Sequence, residues 1–181
     1  MRTQRNLLAD SLRHYRDLWQ GEAEQVARFD DFLRSHPDVF ERHHAVGHFT
    51  GSAWLVSADG ERVLLMHHRK LDRWLQPGGH ADGDDDLARV ALREAQEETG
   101  VAALAVEGGL FDIDHHRIPA RGDEAEHWHY DMRYVVRAGA DERFVLNSES
   151  RALAWRPVVE VAADASLGVS LQRMARKWLA R

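Results

Sequence analysis

A chain of 181 residues with 44% apolar content is long enough for one domain with a real core, or for a domain plus a helical extension, and too short for two full domains. A formal net charge of −6 offers no broad basic face, which argues against polymeric nucleic acid as a partner. The lack of cysteine excludes disulfides, thiolate metal sites and a cysteine nucleophile, and the lack of any membrane-length or signal-type apolar run reads as a soluble cytoplasmic protein with no membrane partner.

In the first forty residues, Leu8, Leu12, Tyr15 and Trp19 recur at helical spacing, as do Val26, Phe29 and Leu33, with Gly21 between the sets. This predicts two amphipathic helices, the second ended by His36-Pro37, because a residue before proline is driven out of the helical region. Such a pair packs on the main domain, completes a substrate pocket or makes a homodimer. Residues 1–45 are therefore set apart as an N-terminal helical extension from a domain of residues 46–181.

From His48 the pattern becomes β-type: "FTGSAWLVS" and "ERVLLMHHR" flank the Asp59-Gly60 turn and read as a hairpin. "LDRWLQPGGH" follows, read as a loop in which Pro77-Gly78-Gly79 forbids regular structure and lets backbone approach something closely. A helix is predicted from about Asp85 to Thr99, with Gly100 at its C-terminal cap. Strands are expected near 106–114, 127–137 and 152–156, and a closing helix over 168–180, where Val169, Met174 and Trp178 recur. Mixed strands and helices at this density indicate an α/β sandwich.

The 23 residues "GHADGDDDLARVALREAQEETGV" hold seven carboxylates. At about 100° per residue, with Glu94 as zero, Glu98 falls near +40° and Glu97 near −60°, so the three share one face. Ala88, Ala91, Leu92 and Ala95 make an adjacent stripe of mostly small residues that lets the helix sit close to a sheet. Charge runs are usually solvated faces, but these glutamates crowd the last turns, where the helix dipole disfavours negative charge. A compensating cation is the simplest remedy, and hard divalent metals such as Mg²⁺ take such oxygen ligands. Asp82, Asp84 and Asp86 read as acidic decoration of a loop and helix start.

This stretch resembles the Nudix box, G-x5-E-x7-R-E-U-x-E-E-x-G-U, with U a bulky aliphatic residue. Gly79, Arg93, Glu94, Glu97, Glu98, Gly100 and Val101 match it. Asp85 stands where the first glutamate belongs, at a position that orients its neighbours, and Ala95 where a larger aliphatic is expected. The resemblance covers roughly residues 47 to 160 and implies a Nudix-like α/β/α sandwich with a mixed β-sheet, preceded here by the two-helix extension. It also implies a pyrophosphohydrolase that uses Mg²⁺ or Mn²⁺ to cleave a diphosphate linkage in a small nucleotide or related phosphorylated metabolite. Glu94, Glu97 and Glu98 would be metal ligands with the Gly79 carbonyl, and Arg93 would hold a box carboxylate by a charge-assisted hydrogen bond. The family often has a further glutamate before a tryptophan-bearing strand; Glu149, six residues ahead of Trp155, is nominated as fourth ligand or general base, its alternative being an exposed loop residue.

Of twelve histidines, ten cluster at 43–48, 67–80 and 115–129. In "EHWHYDMRY", strand alternation puts His127, His129, Asp131 and Arg133 on one face and Trp128, Tyr130, Met132 and Tyr134 on the other. The aromatic face reads as core, and the polar face either lines a pocket, with Arg133 reaching a phosphate, or is solvated. Lys70, as a point charge for phosphate, and His80, beside the glycine loop, complete the candidate substrate-side set; Trp74 reads as core. The glycine-glycine-histidine step and the histidine count also resemble isopentenyl-diphosphate isomerases, but those rely on a cysteine, and the complete glutamate triplet favours hydrolysis. The spacings associated with ADP-ribose or diadenosine-polyphosphate subgroups are not found. A non-catalytic metabolite sensor on the same fold is the reading from another class.

Overall fold

The computed structural model describes residues 3–181. Two helices open it, α1 (Gln4–Leu18) and α2 (Ala23–Ser35). Their apolar faces are buried through Leu8, Leu12 and Tyr15 and through Val26, Phe29, Phe32 and Leu33. His36 is extended at the end of α2, as its following proline requires.

Seven strands form one mixed sheet: β1 (Gly47–Val56), β2 (Arg62–His68), β3 (Arg73–Leu75), β4 (Gly78–His80), β5 (Leu104–Ile118), β6 (His127–Ala138) and β7 (Ser150–Pro157). The order is β3-β2-β1-β6-β5, with β4 also on β1 and β7 also on β2. β1 and β6 run parallel over ten residue pairs, and the other pairings are antiparallel. Helix α3 (Leu87–Thr99) lies with α1 and α2 over the sheet face that presents Phe49, Ala53, Leu55, Tyr130 and Met132. Helices α4 (Val158–Ala163) and α5 (Val169–Leu179) cover the opposite face against Trp54, Val56, Leu65 and Val135. The result is an α/β/α sandwich, and among the described residues no helix is long and apolar enough to cross a membrane.

Several sequence expectations are corrected. The expected hairpin closes at its turn but keeps only the Val56–Val63 pair, because β1 then diverges to pair with β4 while β2 pairs with β7. The Pro-Gly-Gly segment is not wholly irregular: Gly78, Gly79 and His80 pair with Ser52, Gly51 and Thr50. That pairing needs glycine, since a Cβ at Gly78 would lie 2.2 Å from the Ser52 hydroxyl oxygen. Helix α3 starts at Leu87, not Asp85, because Asp86 caps it by accepting from the Arg89 N–H. In α5 the buried residues are Leu171, Met174, Ala175 and Lys177, whereas Val169, at the first turn, is 77% exposed.

A buried polar knot stitches the layers together. Asp112 of β5 is fully buried and accepts from Arg133 of β6 (3.0 Å) and from Arg173 (2.7 Å) and Lys177 (2.7 Å) of α5. Lys177 also pairs with Glu22 at 2.6 Å and donates to the Tyr15 hydroxyl, so α1 is bound to the sheet by charge as well as by packing.

Candidate active site

The sheet splits where β1 leaves β2, and α3 meets the glycines of β4 at that split. The buried residues of α3 are Leu87, Val90, Ala91, Ala95, Glu98 and Thr99. The helix approaches so closely that a Cβ on Gly51 would lie 2.7 Å from the Leu87 carbonyl oxygen. Glu98, next to this stripe by rotation about the axis, is buried; Glu94, one step away, is half-buried; Glu97, furthest round, is exposed. Gly100 ends the helix at φ +66°, a conformation that suits glycine, and donates its N–H to the Gln96 carbonyl.

The backbone of β4 touches two of these carboxylates. Gly78 donates its N–H to Glu98 Oε2 at 2.8 Å. A Cβ on Gly79 would come within 2.5 Å of the Glu94 carboxylate, so any larger residue would push that carboxylate out of its place. Arg93 donates from one Nη atom to Glu94 Oε1 (2.9 Å) and to the His80 carbonyl (3.0 Å), tying the helix to β4. Burial, then the neighbouring glutamates, raise the Glu98 carboxyl to about 8 against the opposing Gly78 hydrogen bond. Burial also raises Glu94, opposed by Arg93.

Glu94 and Glu98 line a cleft of about 1010 Å³. Glu149, on the exposed segment before β7, reaches the same cleft, and its charge contributes to the rise at Glu98. Lys70 stands exposed at the rim, and Gly79, His80, His129 and Arg133 lie along the wall. His127 sits behind His129, with their Nε2 atoms 3.3 Å apart. Trp74 is partly buried against the α4–α5 core and also borders the cleft.

Strand alternation sends Tyr130, Met132 and Tyr134 into the core on the α3 side, but Trp128, expected with them, is 37% exposed near the strand's start and stacks on His115. The polar face is not solvated: Asp131 and Arg133 are each 2% exposed. Asp131 accepts from the Thr50 and Ser52 hydroxyls, both at 2.8 Å, and from Arg133 Nε at 2.7 Å. Every nitrogen of the Arg133 guanidinium has a partner, the others being Asp112, Asp114 and the Ser170 hydroxyl. Burial alone would raise Asp114, but His116, Arg133 and Arg173 hold it well below the usual carboxylate range.

Two features escaped sequence reasoning. Three of the aspartates before α3 are engaged, Asp82 with Arg42, Asp84 with Arg89 and Asp86 as the cap, while Asp85 precedes the cap, outside the helix. His48, from the first histidine cluster, is 1% exposed and sits beside His80 and His129. Burial and the surrounding imidazoles lower His48 to about 3 and His129 to about 2, and burial lowers His80 as well.

The NUDIX domain family model matches residues 48–177. A CMP-5'-(N-acetyl-N-hydroxy-3-aminopropyl)phosphonate hydrolase from Streptomyces rubellomurinus is 32% identical over 58% of this chain and 60% of its own length. A putative 8-oxo-dGTP diphosphatase 3 from Mycobacterium tuberculosis is also 32% identical, over 58% of this chain and 48% of its own. The chain thus spans about half to three fifths of these relatives. In fold it resembles a C. elegans Ap4A hydrolase (TM-score 0.57, 17% identity, 73% of this chain and 95% of that one). A NUDIX-family hydrolase from Clostridium perfringens is similar in fold (TM-score 0.55, 22% identity, 74% and 96%).

Proposed function

Because the chain belongs to the Nudix family, we propose that it is a divalent-metal-dependent pyrophosphohydrolase, cleaving a diphosphate linkage in a small nucleotide or related phosphorylated metabolite. The observation that carries this reading is the pair Glu94 and Glu98, two carboxylates turned into one cleft, with the backbone of Gly78 and Gly79 pressed against them. Their only close cation is Arg93, which reaches Glu94 alone among the described residues. Oxygen donors so crowded fit Mg²⁺ or Mn²⁺ better than they fit one another. The names of the curated relatives, both nucleotide hydrolases, support the substrate class.

In this reading Glu94, Glu97, Glu98 and the Gly79 carbonyl hold the cation. When bound, such a cation neutralises phosphate oxygens and activates or positions the attacking water. Arg93 fixes the Glu94 carboxylate by its hydrogen bond and the backbone of His80 by another. Glu149, at the rim, serves as further ligand or as general base. Lys70 meets a phosphate as a mobile point charge, and His80 and His129 line the same cleft on the substrate side, with His127 behind His129. Arg133, already engaged by three aspartates, shapes that wall through Asp131 rather than through free donors. Residues 46–181 make the hydrolase domain in this proposal, and residues 1–45 an extension that braces it.

The test is the Glu97→Gln/Glu98→Gln double variant on a panel of nucleoside diphosphate derivatives with Mg²⁺. Release of phosphate-containing products should fall by at least about 10³-fold, a loss comparable to removing a principal source of transition-state charge stabilisation. Unchanged turnover in the double variant would remove the proposal. Nucleotide binding without any turnover by the unaltered protein would favour a sensor instead.

A further inference from the structure

The diphosphate chemistry leaves a second cluster unexplained. His48, His80 and His129 each bring one ring nitrogen within 4.8 Å of the others. They come from three different strands, and the sheet itself gathers them. His48 and His129 are direct partners across the parallel β1–β6 ladder, and His80 pairs with Thr50, two residues along β1, on the other side. Ring centroids lie 5.0 Å apart for His48 and His80, 4.8 Å for His48 and His129, and 5.2 Å for His80 and His129.

His48 is the telling member. It is buried, and neither ring nitrogen has a hydrogen-bond partner. A buried polar group left unsatisfied costs about 1–3 kcal/mol, so a fold that buries an imidazole among other imidazoles needs something to occupy the nitrogens. His127 adds a fourth ring. Its Nδ1 lies 2.9 Å from the Ala125 carbonyl, an acceptor only, so that nitrogen carries the proton and Nε2 presents a lone pair. That Nε2 is 3.3 Å from Nε2 of His129, close to the roughly 3.4 Å between neighbouring nitrogens around a tetrahedral zinc with bonds of about 2.1 Å. A backbone carbonyl that fixes a histidine's tautomer is also the usual outer partner of a metal-bound imidazole.

We propose that His48, His80 and His129, with His127 beside them, form a site for one transition-metal ion of the Zn²⁺ class, separate from the carboxylates of α3. Neutral imidazoles suit such an ion and discriminate against Mg²⁺, which takes oxygen ligands. Because His80 and His129 line the cleft, an ion held there would lie beside the space in which a phosphorylated ligand would sit. Glu124, whose carboxylate is 3.8 Å from His127 Nε2, supplies negative charge beside these rings.

The experiment uses tag-free full-length protein, stripped with a chelator and held in excess Mg²⁺ so that oxygen ligands are already served. Co²⁺ is titrated in while visible d–d absorption is recorded, and Zn²⁺ is then used to displace it. One Co²⁺ per chain with an absorption of tetrahedral type, displaced by Zn²⁺, is expected. His80→Ala and His129→Ala, both partly exposed positions and each checked for folding by circular dichroism, should weaken binding by at least about tenfold, the loss that follows even from removing an outer partner of a ligand. His14→Ala, on the exposed side of α1, and Glu97→Gln/Glu98→Gln should leave it intact. No tetrahedral-type absorption in the unaltered protein would overturn the proposal. So would binding that survives both histidine variants, or that is lost only in the glutamine variant.

Discussion

Replacing Glu98 with glutamine removes an ionisable proton from the cleft while keeping the side chain's shape and its acceptance of the Gly78 N–H. In metal-free protein, burial lifts the Glu98 carboxyl from 4.5 to about 8. A carboxyl whose folded value exceeds its unfolded one binds more protons in the native state between those limits, so stability falls as pH rises through that window. At about 1.4 kcal/mol for each tenfold change in proton affinity, the cost approaches ~5 kcal/mol once the pH exceeds the folded value. Water entering the cleft and rearrangement of Glu97 and Glu149 reduce it, so the expected gain on substitution is about 2–5 kcal/mol near roughly pH 9 and about zero below roughly pH 4.5. Urea unfolding in the presence of a chelator measures this as a shift in midpoint at constant slope. Saturating Mg²⁺ should then stabilise the unaltered protein by about 2.7 kcal/mol at a hundredfold excess over its dissociation constant and the variant by much less, closing the gap. A gain independent of pH, or a variant less stable than the parent in alkaline metal-free buffer, would show that the buried Glu98 carboxyl does not bind its proton in the folded state.

Three further outcomes follow from named contacts. Gly79→Ala places a methyl group 2.5 Å from the Glu94 carboxylate, so hydrolysis should fall by about 100-fold, the cost of a small misplacement of a catalytic group, while circular dichroism stays that of the parent. Arg93→Ala frees Glu94 and unties the His80 carbonyl; kcat should drop about tenfold or more with little change in unfolding midpoint, since the arginine is on the outer side of α3. Asp112→Asn removes the one carboxylate shared by Arg133, Arg173 and Lys177, leaving them to Asp114, Asp131 and Glu22, and unfolding at neutral pH should show a loss of about 3 kcal/mol. Those three cations hold the Asp112 carboxyl below its ordinary value despite burial. Its contribution is therefore complete above the unfolded value of 3.8 and disappears as pH falls through the folded one, so the deficit of the variant should shrink in acid.

Local rules carried much of the fold. Period-3.6 spacing located α1 and α2, and period-2 alternation placed Tyr130, Met132 and Tyr134 of β6 in the core, though not Trp128 at the strand's start, because each pattern records which side of one element is dry. The Gly100 cap was legible for the same reason, since a left-handed residue at a helix end has a local cause. β4 was not legible. Proline and two glycines are poor strand formers, and what makes Gly78–His80 a strand is the unpaired edge that β1 offers after diverging from β2. The short β1–β2 pairing has the same non-local origin, as β2 gains more partners from β7 than from β1. Where pairing depends on a distant strand, propensity read along the chain gives the wrong answer.

The candidate site divides along the same line. Glu94, Glu97 and Glu98 lie within one helix, so their common face followed from 100° per residue, and so did the gradient in burial from Glu98 beside the alanine stripe to Glu97 furthest from it. The histidines carry no such record. His48, His80 and His129 are separated by more than thirty residues at each step, and only the registers of β1 with β4 and β6 bring them together. The sequence could show that histidine is abundant near three places, not that those places are one place. The same applies to Asp112, whose neighbours in sequence are apolar and whose partners arrive from β6 and α5. A buried carboxylate needs compensation, so its presence between Phe111 and Ile113, both buried, was itself a signal that cations lay across the fold. The burial pattern of a strand thus predicts that a polar residue at a core position has a partner, while the identity of the partner is fixed by topology alone.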